Sequence, residues 1–225
     1  MFLKTFAIMG VFALAMPVSV RAQTDPLKVM SFNVRTSDAK DPCPSGCWEQ
    51  RQTRVQQMLA KYDPDFFGTQ ETAPIQTAFF NETLGYAAVG ECAGPDTPEV
   101  IPSNSWNLEY LRAAVMARFR STVTGNTVCM LNTHYDVTRG HTQSSVLVAS
   151  RFAQYCQKFD TAVLTGDLNT QPETKAIHYL EGKVELSGGK TPLPMYETLT
   201  AAGAGGFTWI GSSFSNQTVT KKIDY

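Results

Sequence analysis

The chain predicts a layered α/β domain, on three observations. Short apolar runs that read as strands alternate with segments whose apolar residues recur every three or four positions. Most of the strand-like runs end in a polar residue beside a turn. Hydrophobic residues make up 43% of the 225 positions, enough for one domain with a real core. Helices alternating with short strands argue for stacked layers.

The N-terminus reads as a leader. An almost unbroken apolar run from Phe6 to Met16 follows Lys4, and Pro17 breaks it. Val20-Arg21-Ala22 then offers a cleavage site before Gln23, the pattern of a secretory signal peptide. The run is too short to span a bilayer core of ~30 Å, and no later segment is apolar enough to do so. The expected organisation is a signal peptide over 1–22 and one domain over 23–225, secreted and without stable membrane association.

Residues 27–33 read as the first strand, with Leu27, Val29 and Phe32 apolar. Trp48–Tyr62 reads as a helix, because Trp48, Arg51, Val55, Met58, Leu59 and Tyr62 fall at helical spacing. Asp63-Pro64-Asp65 ends it. Phe66–Gln70 is a short strand, and 74–84 a helix with Pro74 in its first turn. A proline-rich loop occupies 93–105. Strands are expected at 115–119 and Thr127–His134, across a Gly125-Asn126 turn. A helix at 143–159 would bury Val148, Phe152, Tyr155, Cys156 and Phe159. Residues 162–165 form a strand and 172–180 a helix. The rest is strand-poor and glycine-rich until 222–225.

The net charge is −1, and the leader removes Lys4 and Arg21, so the mature protein is more acidic still. Proteins that grip long nucleic acid through its phosphates are usually basic. Any nucleic acid should therefore be held locally in a cleft. Of the five cysteines, some should pair in an oxidising compartment, and the odd count leaves one over. Cys43 and Cys47 flank a turn that can join them; no second pair or nearby His completes a zinc site. Asn81-Glu82-Thr83 and Asn216-Gln217-Thr218 are glycosylation sequons.

Asn33, Glu71, His134, Asp167 and Asn169 each follow an apolar strand. Ligands of α/β sheets bind at strand ends. Singly, such residues are usually caps or surface groups. Together they supply two carboxylates for a hard cation, and two amides and an imidazole for phosphate oxygens.

Ser31-Phe32-Asn33-Val34-Arg35, Gly68-Thr69-Gln70-Glu71, Asn132-Thr133-His134, Gly166-Asp167-Leu168-Asn169 and Lys222-Ile223-Asp224-Tyr225 resemble, in order, the motifs of the endonuclease/exonuclease/phosphatase superfamily. They span nearly all of the mature chain. Trp48 and Arg51 resemble the helix start of its secreted bacterial and fungal members. The resemblance implies a two-sheet β-sandwich flanked by helices, a four-layer α/β fold. It implies Mg²⁺ or Mn²⁺ at Glu71, with Asn33 beside it. Asp167 would position and deprotonate the attacking water. Asn169 and His134 would bind phosphate, His134 also serving as an acid for the leaving oxygen. Asp224 would orient a catalytic histidine. Tyr135, Asp136, Arg139 and His141 belong either to the substrate site or to a plain surface loop. Arg112 and Arg118 can help bind phosphate, but a solvated or salt-bridged surface role is the default.

Two departures qualify this. The superfamily's closing Ser-Asp-His motif is not found: none of the three histidines, His134, His141 and His178, follows Ser-Asp. The strands that usually follow the segment near Gly90 are replaced by the proline-rich loop. The fold is therefore expected to be incomplete, truncated at its C-terminus and shortened internally, and turnover poor. The expected activity is that of a secreted, divalent-metal-dependent phosphoesterase acting as a monomer, with nuclease-type phosphodiesters ahead of phosphomonoesters. A secreted relative that only binds is the rival from another class. A phospholipid head-group hydrolase would want an exposed apolar hairpin, and the sequence offers none.

Overall fold

A computed structural model of the chain describes residues 27–44, 46–90, 106–110, 112–122, 124–186, 189–198 and 222–225. The expected leader, the 93–105 loop, Cys92 and the sequon at Asn216 lie outside the described residues.

Strand β1 (Val29–Asn33) pairs in parallel with β2 (Phe66–Gln70), with Asn33 opposite Gln70. Parallel neighbours need a crossover, and helix α1 (Trp48–Tyr62) supplies it. Strand β3 (Ala114–Arg120) pairs antiparallel with β4 (Thr127–His134), the two joined by a tight turn in which Gly125 has φ +74°. Strand β5 (Thr161–Asp167) pairs in parallel with β4 after helix α3 (His141–Tyr155). Helix α2 (Pro74–Ala78) follows β2, and α4 (Lys175–Leu180) follows β5.

The layers follow from which faces are apolar. Trp48, Val55 and Leu59 of α1 and Phe80 pack with Val34, Met30, Phe32 and Phe67 on the outer face of the two-stranded sheet. Val148, Ala149 and Phe152 of α3 and Ile177, Tyr179 and Leu180 of α4 pack with Cys129 and Leu131 on the outer face of the three-stranded sheet. The inner faces meet each other. The Phe66 and Phe119 rings lie 4.7 Å apart, and Asn132 sends its Nδ2 to the Thr69 carbonyl at 2.7 Å. Asn132 Oδ1 accepts from Gln70 Nε2 at 2.7 Å and from Thr165 Oγ1 at 3.1 Å. Gly166 N donates to Ser31 Oγ at 3.0 Å. Gly68 allows this approach: a Cβ there would stand 2.1 Å from Thr165 Oγ1 and 2.3 Å from Asn132 Oδ1. The four layers expected from the resemblance are present: helices, sheet, sheet, helices.

Several elements depart from their expected bounds. The helix at 74–84 is α-helical only to Ala78 and continues as a π-helical stretch, Phe79–Thr83. Helix α3 starts at His141 and ends at Tyr155, because Cys156 is extended (φ −72°, ψ 145°) and disulfide-bonded to Cys129. Phe159 therefore leaves the apolar face and is 90% exposed. Helix α4 starts at Lys175, after a turn in which Thr174 Oγ1 donates to the Gln171 carbonyl at 2.8 Å. Cys43 and Cys47 form the second disulfide. Residues 222–225 return to β5, where Asp224 pairs antiparallel with Asp167. Among the described residues no helix is long and apolar enough to cross a membrane.

Candidate active site

The C-terminal ends of β1, β2, β4 and β5 converge at one edge of the sandwich. On the β1–β2 side, Asn33 Nδ2 lies 2.8 Å from Glu71 Oε1 and 3.0 Å from Asp167 Oδ2, so one amide bridges both carboxylates. Arg35, Glu71 and Asn169, each just past a strand end, have φ values of +53°, +59° and +47°. For residues other than glycine that region costs roughly 1–2 kcal/mol each. Local hydrogen bonds offset the cost at two of them: Arg35 N donates to Asn33 Oδ1 at 2.9 Å and Asn169 N to Asp167 Oδ1 at 3.0 Å. Strained backbone clustered on chemistry-bearing residues is a mark of function.

The exit of β1 is braced from below. Gln76 is fully buried; its Oε1 accepts from Ala73 N at 2.9 Å and Ser37 N at 3.2 Å, and its Nε2 donates to the Arg35 carbonyl at 3.0 Å. Arg51 lies over the Trp48 ring and donates to the carbonyls of Val34, Gly46 and Thr36. Trp48 and Arg51 thus shape the loop behind the site. Only Gln76 in this brace carried no signal in the sequence beyond its helical position.

The β4 side carries donors. Asn169 Nδ2 lies 3.0 Å from both His134 Nε2 and the Tyr135 carbonyl, and Arg112 Nη1 lies 3.2 Å from His134 Nδ1. Burial, then the Arg112 guanidinium, holds the His134 imidazole below its ordinary pKa, only partly offset by Asp167 and Glu71. A neutral imidazole accepts at one nitrogen only. Two donors face it, so only one of them can bond to the ring; Asn169 Nδ2 also has the Tyr135 carbonyl. Arg112 Nε is also buried with no hydrogen-bond partner among the described residues. The cluster has more N–H groups than acceptors, which is the condition for holding an anion.

Asp167 touches both sides. Its Oδ2 meets Asn33 at 3.0 Å and lies 3.7 Å from His134 Nε2. Asp224 sits opposite it in the bridge, held by Leu168 N on the Ile223 carbonyl and Tyr225 N on the Gly166 carbonyl, both at 2.8 Å. All six sequence-selected residues therefore lie at this edge.

The flanking candidates divide. Tyr135 is core, its hydroxyl 3.3 Å from Ser145 Oγ. Asp136 is buried beneath the loop, His141 Nε2 contacts its carbonyl at 2.7 Å, and Arg139 is exposed. Arg118 forms the expected salt bridge, with Asp160 at 2.8 Å, near the far end of β3. A cleft of about 410 Å³ lined by Arg118, Arg120, Gly125, Thr127 and Gln157 lies there too, away from the strand-end residues. Arg112 differs from the surface role expected of it. What could have singled it out is its place two residues before a strand that runs antiparallel to the one ending in His134.

The Glu71 and Asp167 carboxylates fit a hard divalent cation; Asn33 stands between them with its Nδ2 toward both and its Oδ1 accepting from Arg35 N, so it would have to turn its amide to add an oxygen. Among the described residues, the cysteine-containing clusters with Glu49 and with Asp160 have their sulfurs in disulfides, which leaves those sulfurs no thiolate for a soft metal.

A sequence model of the endonuclease/exonuclease/phosphatase family matches residues 30–225, and the chain belongs to that family. Among solved structures, it resembles a family member from Bacteroides thetaiotaomicron at 25% identity and TM-score 0.58, over 68% of this chain and 66% of that one. It also resembles the mannosyl-6-phosphatase of Bacteroides thetaiotaomicron VPI-5482 at 25% identity and TM-score 0.59, over 68% and 69% of the two chains. The chain spans about two thirds of the length of each. D. rerio TDP2 in complex with a single-strand DNA product shares the fold at 16% identity and TM-score 0.56, over 88% of this chain and 81% of that one. No curated protein matches the chain significantly.

Proposed function

We propose that the protein is a secreted, divalent-metal-dependent phosphoester hydrolase. One observation carries the reading: a donor-rich cluster of Arg112, His134 and Asn169 abuts the carboxylates of Glu71 and Asp167, which Asn33 bridges. The first suits a phosphate and the second a cation. Glu71 and Asn33 would hold Mg²⁺ or Mn²⁺, and a cation there supplies charge stabilisation to the phosphate oxygens.

The chain's own groups do the rest. Arg112, His134 and Asn169 grip non-bridging oxygens. Asn169 N pins Asp167 Oδ1, and Oδ2, which accepts from Asn33 Nδ2, has a second lone pair with which to aim a water. The water oxygen bonds to phosphorus as its proton passes to Asp167 Oδ2. The P–O ester bond breaks opposite it, and the alcohol oxygen leaves with the electron pair and takes a proton from solvent. His134, 3.7 Å from Asp167, stands on the side of the attacking water. In-line displacement puts the leaving group elsewhere, so His134 serves phosphate binding better than it serves as the leaving-group acid. Asp224, level with Asp167, is the candidate to orient a further imidazole.

On substrate, the sequence favoured nuclease-type phosphodiesters. The 25% likeness to a mannosyl-6-phosphatase, with the acidic charge balance, supports small phosphomonoesters as the leading class. The deciding assay sets a sugar 6-phosphate, a chromogenic phosphodiester and DNA side by side with Mg²⁺ or Mn²⁺, for the parent and for a version extended through a Ser-Asp-His strand. EDTA-sensitive release of phosphate from the sugar ester alone supports the reading. Cleavage of DNA alone restores the nuclease assignment, and no turnover in either version defeats both. Sequencing the N-terminus of protein from the medium tests export; a product that retains Met1 on the membrane refutes it.

A further inference from the structure

Asp136 is completely buried and is a carboxylate without a salt bridge among the described residues. Its Oδ2 accepts from Glu109 N at 2.8 Å and Tyr110 N at 2.9 Å, on the segment that leads into β3. Its Oδ1 accepts from Thr138 N at 3.0 Å, Arg139 N at 3.1 Å and Thr138 Oγ1 at 3.2 Å, on its own loop. One carboxylate thus joins two segments that share no secondary structure. Burial alone would raise its pKa; the N–H groups of Tyr110, Thr138 and Arg139 and the Thr138 hydroxyl hold it well below the usual carboxylate range, so it is ionised. A buried, ionised side chain that satisfies four backbone donors costs desolvation, and such costs are retained where geometry matters.

The geometry in question is that of Arg112. Two residues past Tyr110, it reaches His134 at 3.2 Å and lies over the Tyr110 ring at 5.2 Å. It lies in sequence between the 109–110 backbone that Asp136 holds and Ala113, whose carbonyl accepts from Thr133 Oγ1 at 3.0 Å. The loops also touch at Gly140, where a Cβ would come 2.6 Å from Leu108 Cδ2. We infer that Asp136 is the positioning residue for the phosphate site, fixing the 109–110 backbone so that the Arg112 guanidinium is preset beside His134. This rests on the proposed phosphoester site but concerns how it is built. Asp136 touches no substrate and acts through Arg112.

The test is a double-mutant cycle read by calorimetric binding of inorganic phosphate to the full chain, with and without Mg²⁺. Parent, Asp136→Asn, Arg112→Ala and the double variant are compared, with circular dichroism reporting the fold. Asp136→Asn is expected to weaken phosphate about tenfold in the parent and less than twofold in the Arg112→Ala background, while it lowers the melting temperature equally in both. Asp136→Glu, which keeps the charge but displaces it by one methylene, is expected to give the same pattern and carries the cycle if Asp136→Asn does not fold. Equal losses of phosphate affinity in both backgrounds, or unchanged affinity in Asp136→Asn, would overturn the inference and leave the phosphoesterase reading standing. Failure of the parent to bind phosphate would remove Arg112 from the site and defeat the inference at its base. Failure of hydrolysis with phosphate binding and coupling intact would defeat only the enzymatic reading.

Discussion

At the ends of β1 and β2, the charged side chain facing the site is a carboxylate, Glu71, and the Asn33 amide donates to it and to Asp167. At the end of β4, beside the segment entering β3, the side chains offer N–H groups: Arg112, Asn169 and one nitrogen of His134. The supports differ as well. The first end is braced by neutral and cationic side chains, Gln76 and Arg51, that bind loop carbonyls. The second is braced by a buried anion, Asp136, that binds loop N–H groups. Each brace has the charge sign its site atoms lack, so neither end concentrates like charge. The difference teaches how acceptor and donor side chains can be set side by side: Glu71 follows a strand of the two-stranded sheet, His134 ends a strand of the other sheet and Arg112 leads into one, and Asp167 at the seam lies 3.7 Å from His134 Nε2.

The seam itself is where the comparison breaks most easily. Gly68→Ala would push a methyl against Asn132 Oδ1, which accepts across the seam from Gln70 Nε2, and against Thr165 Oγ1, which donates to the same oxygen within its own sheet. Overpacking usually costs ~1–3 kcal/mol, and here the neighbours have little room to yield, so a loss at or above the top of that range is expected. Urea unfolding measures it. A stability within ~0.5 kcal/mol of the parent would show that the sheets can part without harm.

The next largest effects separate the two ends without disturbing the fold. Glu71→Gln should cut Mn²⁺ affinity by more than the ~10–100-fold that loss of an outer-shell partner costs, with phosphate affinity in EDTA unchanged. Arg112→Ala should do the reverse: metal affinity kept and, in a version that turns over, kcat/KM lower by ~10²–10³. Asp167→Asn, at the seam, keeps the acceptor for Asn169 N but loses the base, so kcat should fall by ~10²–10⁴ with circular dichroism unchanged. Calorimetry and steady-state kinetics on the three variants give the result. If Glu71→Gln weakens phosphate in EDTA as strongly as metal, the two ends are not separate.

The elements that sequence predicted best are those whose periodicity has one physical cause. Trp48–Tyr62, Phe66–Gln70 and Thr127–His134 keep their expected bounds, because apolar spacing and the flanking Pro64 or turn residues act together there. Where a long-range contact decides, the pattern misleads. Phe159 sits at helical spacing from Phe152, yet the Cys129–Cys156 disulfide and the capture of Gln157 N by Asp160 end the helix before it. The site residues at strand ends were legible because their motifs are local. Arg112 was legible only as one of two possible phosphate ligands, not as the neighbour of His134, which it meets through the antiparallel pairing of β3 with β4. Asp136 was visible only as a neighbour of His134, for its partners at 109 and 110 are joined to it by nothing in the local sequence.

The smallest effect bears on the anionic brace alone. A carboxylate whose pKa is lowered by folding stabilises the native state above its unfolded pKa, ~3.9 for Asp, and loses that contribution as pH falls below this value toward the folded one. Asp136 is such a group. So are Asp41, bonded to Arg35, and Asp160, bonded to Arg118, both also held low. All three feed one acid limb, so the informative quantity is the difference between parent and Asp136→Asn. At pH 7 the variant should melt a few degrees lower. Below about pH 4 the parent should lose stability faster, and the two curves should draw together as pH falls further. No comparable convergence is expected for Gln76→Ala, because the Gln76 amide does not titrate. Melting curves at half-unit pH steps would settle it. Parallel curves for parent and Asp136→Asn would mean that the Asp136 carboxylate gives the folded state no charge-dependent support, and that the β4 end is held by packing alone.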